Sequence, residues 1–138
     1  MKNLSLTIAI GLLTLGTVTL QSQQATQAEV TVKPDIFKSV CGVVDGREMY
    51  KYPCQVVDQY NGKTKARTIL RYPDMELVLV WLPGGKVEVS GSAGGNSEPE
   101  TVSYTVKSGE TNFTTKKASY FYMSDKKVAA RELSQLQN

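Results

Sequence analysis

The side chains most able to do chemistry here are two cysteines, and both lie in one stretch, CGVVDGREMYKYPC, from Cys41 to Cys54. A thiol pair serves for redox exchange, metal ligation or a structural crosslink. The spacing is far wider than the Cys-X-X-Cys of a thioredoxin-like site. A zinc site needs three or four nitrogen, sulfur or carboxylate ligands, and the chain has no histidine. The crosslink remains: a Cys41–Cys54 disulfide, whose closed loop stabilises the fold by about 3 kcal/mol in the chain-entropy model. If Asp45-Gly46 forms the centre of a type I′ turn, Val44 faces Arg47 and Cys41 faces Tyr50. Cys54 then overshoots its partner. The chain must bend at Pro53 and place Cys54 on a third strand beside the first, unless a wide loop replaces the tight turn.

Other nucleophiles fare poorly. Without histidine, serine–histidine and cysteine–histidine mechanisms are closed. The run SDKK, Ser124 to Lys127, matches S-x-x-K but reads as a helix start with solvated lysines. NGKT resembles the end of a phosphate loop, but Val57 stands where that motif requires its first glycine. Asp45, Asp58, Asp74, Glu76 and Glu88 alternate with basic residues on apparent outer faces and read as surface charge. A carboxylate pair in a cleft is the remaining catalytic alternative, as a small cell-wall enzyme. The reading is therefore a protein without catalysis, cofactor or metal.

Two features suit binding instead. In SYFYM, strand alternation sends Phe121 and Met123 to one face and Tyr120 and Tyr122 to the other. With the former pair in the core, the tyrosines form an outer pair that Tyr104 extends, a surface able to stack on sugars or peptides. The second feature is the Ser/Gly-rich loop from Ser90 to Asn96, followed by SYTVKSGE. Ser90, Gly91, Ser92 and Lys107 together resemble motifs of the periplasmic lysozyme inhibitors of the membrane-associated C-type class. That resemblance implies a small exported β-barrel whose Ser92 and Lys107 enter the cleft of a lysozyme. Ala93 and Ser108 depart from the pattern, standing where the motifs carry glycine.

These residues need a scaffold, and the sequence reads as strands. CQVVDQY and KTKARTIL flank Asn61-Gly62, a strong hairpin signal. ELVLVWL is apolar on both alternating faces, so it reads as a central strand covered twice, with Trp81 buried. KVEVS, TVSYTVK and FTTKKASYFYM follow, separated by PGG, by GSAGGNSEPE and by SGETN. YKYP, LRYP and VWLP punctuate the corners. In the tail, Asp125 caps a short helix carrying Val128, Ala129, Leu133 and Leu136 on one side, which covers one face of the central sheet. The fold class is mainly β: an antiparallel meander forming a small barrel or sandwich, with a short C-terminal α-helix.

The compartment follows from the start of the chain. A basic Lys2, an apolar run from Leu4 to Leu20 and a polar exit ending at Ala28 are the parts of a secretory signal peptide. Residues 1–28 are read as that signal and 29–138 as one small β-rich domain, periplasmic or extracellular. The full chain has 16 basic and 13 acidic residues, scattered rather than clustered, so nucleic acid is excluded as a partner. No membrane insertion is expected after signal removal. The expected function is an exported binding or structural domain of the cell envelope, its partner an envelope glycan or protein not specified by sequence.

Overall fold

The computed structural model describes residues 33–91 and 98–137, all of which belong to one compact unit. The expected signal segment and the loop tip from Ser92 to Asn96 lie outside the described residues. Eight strands follow in chain order: β1 (Asp35–Asp45), β2 (Glu48–Asn61), β3 (Thr64–Arg71), β4 (Glu76–Leu82), β5 (Lys86–Gly91), β6 (Glu100–Lys107), β7 (Glu110–Thr114) and β8 (Ser119–Met123). One helix, α1 (Lys126–Gln137), ends the domain. Each strand pairs antiparallel with the next, and β8 returns to β1 through Cys41↔Tyr122 and Val44↔Ser119. The meander is thus a closed barrel, which leaves no open sheet edge at that seam.

Glycines place the turns. Gly46 (φ 65°) and Gly62 (φ 66°) each take the first central position of a two-residue turn, between Asp45↔Glu48 and Asn61↔Thr64. That is the position where a type II′ turn requires glycine. The first hairpin therefore differs from the type I′ register: Cys41 faces Tyr52, and Cys54 faces Ser39 on the same pair of strands. Cys41 and Cys54 are diagonal neighbours, Cα atoms 5.8 Å apart, and their disulfide crosses β1 and β2 inside the barrel. No third strand is needed. Pro53 does not turn the chain; it sits within β2 opposite Val40, and β3 begins pairing only at Gln55. The missing N–H thus falls on an open stretch of β2, where proline is tolerated. YKYP is accordingly mid-strand, whereas LRYP and VWLP do end their strands. The run FTTKKASYFYM is two strands, split at Lys116-Lys117.

Two apolar clusters hold the fold. The barrel interior contains the disulfide, Val56, Leu70, Leu79, Val87 and Phe113. The second lies outside the barrel wall, where Val40, Phe121 and Met123 meet Ala129 of α1, with Val128 and Leu133 beside them. Asp125 caps this helix, its Oδ1 accepting from the Lys127 and Val128 amides at 2.9 and 3.1 Å. The helix packs on β1, β2 and β8, not on β4. So β4 is covered on one face alone: Leu77 and Leu79 are buried, while Val78, Val80 and Trp81 are half-buried. Leu136 is exposed, one turn beyond the contact. Among the described residues no helix is long and apolar enough to cross a membrane.

Candidate functional site at one mouth of the barrel

The turns β2–β3, β4–β5 and β6–β7 and the start of α1 surround one end of the barrel. There the interior opens into a cavity of about 810 Å³. Strand alternation aims its walls inward: Trp81 from β4, Tyr104 from β6, Thr111 from β7 and Tyr122 from β8. Trp81 and Tyr104 meet edge to face, ring centroids 4.9 Å apart. The Lys65 ammonium sits 5.9 Å over the Trp81 ring, within cation–π range.

Below these rings lies a buried acid. Asp58, 3% exposed, faces inward on β2. Its Oδ1 accepts from the Thr68 hydroxyl at 2.6 Å, and its Oδ2 is 3.5 Å from Lys65 Nζ. Thr68 in turn accepts the Trp81 indole N–H at 2.9 Å. The chain indole, hydroxyl, carboxylate, ammonium compensates the buried charge and fixes the orientation of the Trp81 ring. Nearby, Thr111 donates to Ser124 Oγ at 2.7 Å.

One group at this mouth is left over. Tyr122 is 1% exposed, and its hydroxyl, set among Thr68, Thr111 and Asp58, makes no hydrogen bond of ordinary geometry. Burial pushes its pKa well up, and the negative charge of Asp58 pushes the same way. Tyr122 therefore stays protonated, with the Thr68 and Thr111 hydroxyls beside it but neither at hydrogen-bonding geometry. Buried polar groups are hydrogen-bonded in the great majority of cases, so this one calls for an explanation.

The opposite end has a smaller cavity of about 310 Å³, bordered by Ser90, Glu100 and Tyr120. Tyr120 stacks on Phe113, centroids 5.5 Å apart at 24°. The Lys116 amide donates to both Glu100 carboxylate oxygens at 3.1 and 3.2 Å.

The sequence candidates are thus dispersed. Cys41 and Cys54 form the interior staple. Tyr104 and Tyr122 come together at the large mouth, and Tyr120 points inward at the far end. The outer tyrosine pair does not exist: both faces of SYFYM are covered, Phe121 and Met123 by α1 and the tyrosines by the barrel interior. Alternation separates the two sets without saying which is inside. Ser90 and Lys107 sit at opposite ends of the barrel, since Lys107 lies about eight residues beyond the level of Ser90, or roughly 25 Å at about 3.3 Å per residue. Lys107 is exposed and outside the cavity lining.

Asp58 corrects the surface-charge reading of the carboxylates. Asp45 and Asp74 are exposed, and Glu76 pairs with Arg71 at 3.1 Å, but Asp58 is interior. Its position was signalled by period two: from the disulfide at Cys54, Val56 and Asp58 fall on the same face. Lys65 and Thr68 carried no comparable signal. Among the described residues no three acidic or cysteine side chains converge as a metal site. Comparison with protein-family models, curated proteins and solved structures gives no match.

Proposed function

We propose that this protein is an exported, non-catalytic binding domain of the cell envelope that takes a small ligand into the mouth lined by Trp81, Tyr104 and Tyr122. The observation that carries the reading is the cavity of about 810 Å³ with an unpartnered, buried tyrosine hydroxyl in its wall. Ligand sites are concave, mostly apolar and aromatic, with a few polar groups that fix orientation, and the mouth of a small barrel is a common place for one. The staple, the aromatic edge contact and the Asp58 network make the site rigid before ligand arrives, which lowers the ordering cost of binding.

Absence of catalysis rests on chemistry. Among the described residues the one buried carboxylate, Asp58, is held by Thr68 and Lys65, the carboxylate in the cavity lining, Asp125, is exposed and caps α1, and the chain has neither histidine nor a free thiol. Export rests on the signal-like start and the disulfide. A lysozyme-directed role would draw Ser90 and Lys107 into one cleft, and their separation weighs against it.

The chain has one tryptophan, and it lines the cavity. Titration with a small-molecule extract of envelope should change Trp81 emission saturably, and native mass spectrometry should show a 1:1 adduct. Silence in both measurements contradicts the binding reading, and turnover of an extract component contradicts the non-catalytic one.

A further inference from the structure

The polarity of the mouth is graded, and the gradient identifies a ligand class. At the rim, Leu82 and Val106 are 36% and 61% exposed, with exposed Pro83 between the strand ends. Large apolar side chains in such positions lose contact with water only when something covers them. Next inward come the rings of Trp81 and Tyr104. Most buried are hydroxyls: Tyr122, a protonated donor with no partner at hydrogen-bonding geometry, and Thr111, whose proton is engaged by Ser124. Two charged side chains stand in the lining. Lys65 pairs with Asp58, and Asp125 Oδ1 caps α1. With Lys65 already paired, an anionic head would meet no free cation in the lining, and an ammonium head has no lone pair to accept the Tyr122 hydroxyl proton.

Resting on the binding reading above, we infer that the ligand is an uncharged amphiphile that enters head first: an oxygen acceptor in its head takes the Tyr122 hydroxyl proton as a hydrogen bond, and its apolar tail lies along Trp81, Leu82 and Val106. The head is a hydroxyl, ester or amide rather than a carboxylate, phosphate or ammonium.

Four probes below their micelle concentrations separate the alternatives by Trp81 emission: monodecanoylglycerol, decanoate, decyltrimethylammonium and glycerol. Monodecanoylglycerol should bind 1:1, about tenfold or more tighter than either charged probe, and glycerol alone should not bind. Tyr122→Phe should weaken that affinity about tenfold, the worth of one buried hydrogen bond. Its thermal midpoint should be unchanged or higher, because the deleted hydroxyl has no partner in the unliganded protein. Val106→Asp, at an exposed position, should also weaken binding with the fold intact. Equal binding of decanoate or decyltrimethylammonium, or full affinity in Tyr122→Phe, would overturn the assignment. If no probe binds while envelope extract still moves Trp81 emission, the amphiphile assignment fails and the mouth stands as a site. If the extract is silent too, both fail.

Discussion

Asp58 and Tyr122 are polar groups set in an apolar barrel, and they are stabilised in opposite ways. The Asp58 carboxylate is compensated by Thr68 and Lys65. Asp58→Ala strands a buried hydroxyl and an ammonium that is one-third exposed and so able to turn to water. The expected loss is about 2–4 kcal/mol by urea unfolding, and Asp58→Asn, which keeps an acceptor for Thr68, should lose less. Tyr122 and Tyr72 are buried phenols whose pKa values are raised, chiefly by that burial. Their folded pKa values exceed the unfolded value of 10.0, so the unfolded chain gives up these protons first. Stability is at its full value below pH about 10 and falls above it, by about 1.4 kcal/mol per pH unit for each tyrosine. Phenolate absorbance should show these two of the seven tyrosines ionising only with unfolding. The inward face of Asp58 was readable by counting from Cys54. The neighbours that make its burial tolerable were not, because they arrive from β3 through long-range pairing.

At the scale of elements, turn chemistry was the most legible feature and register the least. The Asp-Gly and Asn-Gly signals do mark hairpins, but glycine occupies the first central position rather than the second. That moves Cys41 from opposite Tyr50 to opposite Tyr52 and lets the disulfide form across a single strand pair. Replacing both cysteines by alanine should lower stability by about 3 kcal/mol while the strand pairing persists. The helix and its Asp125 cap were readable from period and cap; the strands it covers were not, because its apolar side fits any apolar outer face. The seat is made by Gly42, where an added Cβ would overlap the Phe121 ring. Gly42→Val should displace Phe121 and loosen α1, costing about 1–3 kcal/mol, with faster amide exchange concentrated in the helix.

For the whole molecule, the strand-rich meander was visible in alternation and in Gly/Pro spacing. Barrel closure was not, since it depends on β1 and β8, the strands most distant in sequence, finding each other. Closure creates the site: it turns Tyr122 from a surface residue into a cavity wall and brings β4, β6, β7 and β8 around one opening. The same closure puts the two ends of β6 at opposite mouths, dividing the residues that the sequence motifs had grouped. The most direct measurement of where ligand binds is an amide and indole NMR spectrum of isotopically labelled protein, titrated with the small-molecule fraction of envelope extract. The single indole N–H of Trp81 should shift first, together with the amides of Tyr104, Val106 and Thr111, while those around Ser90 and Tyr120 stay in place. Shifts confined to the Ser90 end, or spread over the outer strand faces with the Trp81 signal unmoved, would contradict binding at this mouth.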